Sequence, residues 1–158
     1  MSVTSDILES WRRPQVVVRR LLGQPQSEPF AFSFLVTGLI LLFVSLTPFL
    51  AREAYLHPDQ PLTQRLLAAA LAMAATVPLW YLLAAMGHVI ARILGGKGSF
   101  YGARLALFWA LVAASPALLV SGMARGMVGG RGSDVTGLIT AGVFVLFWVV
   151  MLHEAERA

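Results

Sequence analysis

Few residues in this 158-residue chain could do chemistry, and most of them fail on spacing. His88 is the one ionisable side chain inside a long charge-free stretch, one helical turn before Arg92. A lone histidine cannot complete a metal site, and His57 and His153 fall on other segments. An interhelical or interfacial role is therefore the expectation for His88. His153-Glu154 lacks the second histidine of a zinc-protease helix, since Arg157 stands in that place. Gly96-Lys97-Gly98-Ser99 looks like a phosphate loop, but glycine follows the lysine where Ser or Thr is needed, and no strand precedes it. What remains is a turn, either plain or touching lipid phosphate through Lys97 and backbone N–H groups. Ser45, Ser115 and Ser121 have no base placed to activate them unless His88 faces Ser115. Cysteine is absent, which excludes disulfides, thiolate metal sites and cysteine nucleophiles. No catalytic group, metal or cofactor is expected, and the chain reads as a non-enzyme.

The elements that hold these residues follow from composition. Hydrophobic residues make up 58% of the chain and charged residues 13%, against about a quarter charged in soluble domains. The charges are also segregated, as in a chain divided between hydrocarbon and water. Four stretches lack Asp, Glu, Lys and Arg: residues 30–50, 66–91, 105–124 and 135–152. Crossing roughly 30 Å of hydrocarbon takes about 20 apolar residues. The fourth stretch is the shortest, and the second is long enough to need tilt. A soluble helical core would need polar faces that these segments lack. The expectation is an all-α, polytopic transmembrane helical bundle of four spans over 30–152. It is preceded by an amphipathic interfacial arm over 1–29 and followed by a short cytoplasmic tail over 153–158. Strand signals, repeats and low-complexity tracts are absent.

Orientation follows from the basic residues. With the amino terminus inside, Arg12, Arg13, Arg19, Arg20, Arg92, Lys97, Arg104 and Arg157 are cytoplasmic, and only Arg52, Arg65, Arg125 and Arg131 lie across the membrane. Both termini are thus expected in the cytoplasm. Arginine far outnumbers lysine, a compositional hint of a GC-rich bacterial genome. The net charge of +4 flanks apolar segments instead of forming a stripe, so anionic lipid headgroups are the expected partner and nucleic acid is not. Residues 1–29 lack the apolar core and cleavage site of a signal and read as mature chain.

Within the arm, Ile7, Leu8, Trp11, Val18, Leu21 and Leu22 recur at helical steps, opposite Arg12, Arg13, Arg19 and Arg20. Asp6 with Glu9 reads as a capping pair, and Pro14 as a kink or a break into two short helices. Such an arm lies on the membrane among headgroups, binds a partner, or is a disordered tail. Pro58 and Pro61 stiffen the 51–65 connection, Gly95, Gly96, Gly98 and Gly102 make a tight turn, and Gly126, Gly129, Gly130 and Gly132 a flexible one. Small residues four apart (Gly87, Ala91 and Gly95; Ala68 and Ala72; Ala113 and Ala117) predict close helix approach within the bundle or between protomers. Pro48, Pro78 and Pro116 each free a backbone carbonyl, which Thr47, Thr76 and Ser115 are placed to satisfy. No carboxylate lies inside a span, so a proton relay lacks its usual parts.

The stretch His88-Val-Ile-Ala-Arg-Ile-Leu-Gly-Gly-Lys-Gly-Ser-Phe100 resembles the bacterial branch of the Yip-one (Ypt/Rab-interacting) membrane family. In that family a long helix ends in a Gly-Gly-Lys/Arg-Gly-Ser/Thr turn before a span with aromatics and a proline, matched here by Phe108, Trp109 and Pro116. Arg13-Pro14 and Arg19-Arg20-Leu21-Leu22 fit how many members begin, and the likeness covers roughly residues 10–150. The resemblance implies a multi-spanning protein without established enzymatic activity, whose eukaryotic relatives are linked to Rab GTPases and vesicle formation. The Asp-Leu-Tyr-Gly-Pro signature of the eukaryotic branch is missing, so Rab binding does not carry over. The chain is one span short of the usual five, so the family's topology does not carry over either. The expected function is contact with lipid, with another membrane protein or with a second copy. The alternative is a small transporter, channel component or lipid scramblase. The expected contact face comprises His88, Arg92, Gly95, Gly96, Lys97, Gly98 and Arg104, with Arg12, Arg13, Arg19 and Arg20 as a lipid-headgroup arm.

Overall fold

A computed structural model describes residues 3–127 and 131–157, and every regular element among them is an α-helix. In chain order these are α1 (Val3–Arg12), α2 (Pro14–Leu22), α3 (Glu28–Leu56), α4 (Leu62–Ala75), α5 (Val77–Ile93), α6 (Phe100–Ala113), α7 (Ser115–Met127) and α8 (Arg131–Arg157). Three stretches are long and apolar enough to cross a membrane: Glu28–Leu56, Leu62–Ile93 and the Asp134–Arg157 part of α8. The pair α6 and α7, bent by 46° at the Pro116 junction, makes a fourth if it counts as one span.

The helices outrun the charge-free stretches. At 1.5 Å per residue α3 is about 44 Å long, so it continues past Arg52 beyond any hydrocarbon core. The expected tail from residue 153 is instead the last turn of α8, which stays helical to Arg157 because Glu154 and Glu156 find partners there. Helix α7 runs through Arg125 to Met127, so Gly126 belongs to a helix and not to a loop. Gly129 and Gly130 of that connection lie outside the described residues, as do residues 1, 2 and 158.

Prolines set the breaks. Pro48 sits inside a continuous α3, where Thr47 Oγ1 donates to the Val44 carbonyl at 2.8 Å, the group the missing proline N–H leaves open. Thr76 separates α4 from α5, and its hydroxyl donates to the Met73 carbonyl. At the α6–α7 break the Ala113 carbonyl is served from far along the chain: Trp11 Nε1 of the arm donates to it at 2.9 Å.

Helix α6 is the core. Every residue from Tyr101 to Ala113 except Arg104 is buried, which fits a helix apolar on all sides. Helices α1, α2, α3, α5 and α8 surround it. The arm is part of that enclosure. It divides at Pro14 as expected, Val17, Val18 and Leu21 enter the core, and Trp109 Nε1 donates to Ser10 Oγ at 3.0 Å. Trp11 also meets Phe147 of α8 edge-on at 5.3 Å. Asp6 and Glu9 do not form the expected cap. Helix α1 begins upstream at Val3, and both carboxylates bind Arg20, at 2.9 and 2.8 Å. The hydrogen bond to Glu9 raises the Arg20 pKa above its ordinary value, and Coulombic attraction to Glu9 and Asp6 adds to this against partial desolvation.

Candidate functional site

The glycine turn after α5 has a defined task for each residue. Gly95 takes φ +95°, and the Gly95 and Gly96 N–H groups donate to the Arg92 and Ala91 carbonyls at 3.1 and 2.9 Å. This is a Schellman closure of α5, with the left-handed residue where glycine avoids a Cβ penalty. Ser99 then caps α6, its hydroxyl accepting the Gly102 N–H at 3.1 Å. Between closure and cap, the turn wraps the end of α8. The Lys97 N–H donates to the Glu156 carbonyl at 2.9 Å, and the Gly98 N–H donates to Glu156 Oε2 at 3.0 Å. A Cβ on Gly96 would lie 2.7 Å from Glu156 Oε2, and one on Gly98 would lie 2.5 Å from the Ala155 carbonyl oxygen. Only glycine lets the turn and the end of α8 come this close.

Glu156 is the centre of the clasp. Its Oε1 lies 2.6 Å from His88 Nδ1, with the two side chains 4% and 1% exposed. A carboxylate in the last turn of a helix faces the negative end of the dipole. Here that cost is offset by the imidazole of α5 and by an N–H beside the start of α6, where the dipole is positive. One side chain thereby ties α5, α6 and α8 together. Next to it, Arg19 Nε and Nη2 both reach Glu154 Oε1, at 2.9 and 2.5 Å, joining α2 to α8. Arg104 pairs with Glu28 at the start of α3 and stands 5.8 Å from the centre of the Tyr81 ring. The Ser27 N–H donates to the Tyr101 hydroxyl at 3.3 Å.

The expected contact face is therefore split. His88, Gly96 and Gly98 point inward to Glu156, and Arg104 is paired, so these four hold the bundle together. Gly95 closes α5. Arg92 and Lys97 point outward. In the arm, Arg19 and Arg20 are engaged by carboxylates, whereas Arg12 and Arg13 are exposed without a carboxylate within ion-pair distance among the described residues. His88 does not meet Ser115. Its ring bonds Glu156 and lies against Phe100 at 4.3 Å, and its Nε2 is buried without a hydrogen-bond partner. Glu154 and Glu156 escaped sequence reasoning because they lie beyond the last charge-free residue. Their alternation with Ala155 and Arg157 offered no periodic signal. No group of three or more His, Cys, Asp or Glu side chains able to hold a metal occurs among the described residues.

The two glycines of the clasp can be told apart by substitution. Gly95→Ala meets open space and carries only the left-handed backbone penalty, about 1–2 kcal/mol. Gly98→Ala must push the turn off α8 and is expected to cost up to about 3 kcal/mol. Detergent unfolding followed by tryptophan fluorescence would rank them, and equal costs would mean the close approach to Glu156 contributes nothing.

Residues 8–155 match the family model described as the Yip1 domain. No curated protein and no solved structure matches the chain.

Proposed function

Because the chain belongs to the Yip1-domain family, as a multi-pass membrane protein, we propose that it works without catalysis, through contacts with lipid and with a protein partner. The partner is another membrane protein or a second copy of the chain. The supporting observation is the division of labour among charges at the clasp end. His88, Glu154, Glu156, Arg19 and Arg104 are spent on one another or on Glu28. Arg92, Lys97 and Arg157 are exposed there, with no carboxylate in ion-pair range among the described residues. Arg12 and Arg13, equally exposed and unpaired with a carboxylate among those residues, follow Trp11 beside the break between α6 and α7. Such an end suits the cytoplasmic side of a bacterial inner membrane, with both termini inside and anionic headgroups around it. The arm's inner face is docked on α6 and α8, with Trp11 reaching the Ala113 carbonyl at the break between α6 and α7.

Crosslinking in native membranes is expected to recover one stoichiometric partner, and this recovery should fall when Arg92 and Lys97 are both changed to Glu. Turnover of a lipid or peptide by the purified protein in liposomes would overturn the non-catalytic reading. The bend between α6 and α7 favours a second reading as a transporter or scramblase, since broken helices line substrate paths in such proteins. Flux and scrambling assays in proteoliposomes separate the two readings.

A further inference from the structure

A groove of about 570 Å³ runs between the last halves of α5 and α8, within the size range of small-molecule sites. Its deep end is floored by Trp148, whose ring lies over Gly87, where a Cβ would stand 2.9 Å from Cζ2. Ile90 and Val149 continue the wall and are more than half exposed, so the groove opens sideways toward the hydrocarbon. At the outer end the lining turns polar, with His153, Arg157 and the backbone of Gly95 and Gly96. From Gly87 to Gly95 and from Trp148 to Arg157 is about 12–14 Å along either helix, close to the depth of one leaflet's hydrocarbon. Polarity thus changes along the groove in the same direction as across a leaflet.

We infer that this groove holds one acyl chain of an anionic glycerophospholipid, with its phosphate between His153 and Arg157. Charge complementarity selects the anionic class. Arg157 is exposed and has no carboxylate in ion-pair range among the described residues. The one carboxylate in the wall, Glu156, is turned away, its oxygens bound by His88 Nδ1 and the Gly98 N–H. A helix from a second copy would cover the apolar walls but leave the cationic end unmatched, unless it brought an acid to the same height. The inference rests on the reading of this end as the lipid-facing cytoplasmic side. It names a site apart from the arm.

Native mass spectrometry of the full-length protein, with phosphatidylglycerol or phosphatidylcholine of matched chains added, tests it. One arginine beside an anionic lipid is worth about 1 kcal/mol, so phosphatidylglycerol should be retained about fivefold over phosphatidylcholine. Arg157→Glu should abolish that preference, bringing phosphatidylglycerol retention down to that of phosphatidylcholine or below it. Val149→Trp, which fills the groove, should lose both lipids, and inorganic phosphate should not compete. The exposed Arg157 position keeps the test decisive if the tryptophan variant fails to fold. An undiminished preference in Arg157→Glu would overturn the site. So would its loss in Arg12→Glu/Arg13→Glu, displacement of the lipid by phosphate alone, or a second copy of the chain in place of bound lipid. Any of these could occur while crosslinking still recovers a protein partner, so the two readings fail separately.

Discussion

Gly122→Ala is expected to destabilise the protein by about 3 kcal/mol or more, because the new methyl group has nowhere to go. A Cβ on Gly122 would fall inside the Ser45 carbonyl of α3, and the backbone atoms around that carbonyl cannot rotate aside as a side chain would. Gly126, one turn later, faces Pro48, where a Cβ would stand 2.5 Å from the proline Cβ. The two glycines, four residues apart, let α7 lie directly on α3, and in hydrocarbon such close packing is the main attraction between helices. Separating the helices forfeits dispersion along the whole contact. Gly142→Ala is the control. Its Cβ would meet nothing within 4 Å, so stability should hold or rise by up to about 1 kcal/mol through helix propensity. Unfolding in mixed detergent micelles, read by tryptophan fluorescence, would separate the two. A Gly122→Ala protein as stable as Gly142→Ala would mean that α3 and α7 do not touch through this stripe.

That Gly122 and Gly126 pair was open to inspection in the sequence yet went unread, and the reason is physical. A charge-free window finds the hydrocarbon thickness, and Arg125 ends the window. It does not end the helix, because an arginine can extend its apolar stem along the bundle and keep its head in a polar layer. The bare backbone of Gly137 on α8 leaves room for the Arg125 guanidinium, so α7 continues to Met127 and carries Gly126 onto the α3 interface. The same distinction explains α8. Its apolar run stops at Leu152, but its backbone goes on to Arg157, placing Glu154 and Glu156 against α2 and α5. The class of fold and the break of the arm at Pro14 were legible because they depend on local composition. Gly87 was legible as a packing position, though its partner Trp148 was not. The clasp was only half legible. Its glycines announced a turn, but what they wrap lies at the far end of the chain, and no local pattern in one sequence links Gly98 to Glu156.

Cutting that link from the other side should be nearly as damaging. Glu156→Ala leaves His88 Nδ1 buried without its carboxylate, in a ring whose Nε2 already has no hydrogen-bond partner, and strands the Gly98 N–H. Breaking a buried ion-paired contact by removing one partner costs about 3–5 kcal/mol, and His88→Leu is expected to fall in the same range because it leaves a carboxylate buried without its imidazole. The informative variant is the double one. His88→Leu/Glu156→Met removes both polar groups and fills the space, and replacing a buried pair by apolar side chains is often neutral or stabilising. The Gly98 N–H still loses an acceptor, about 1 kcal/mol. The double variant should thus be more stable than either single one, which requires a coupling energy larger than one single loss, about 3 kcal/mol or more, at the top of the range seen for residues in direct contact. Additive losses would show that His88 and Glu156 act independently. A double variant that unfolds less readily than the parent would place the value of the pair in what it specifies: a polar lock that forces the glycine turn to meet α8 at Glu156 and at no other register along its last turn.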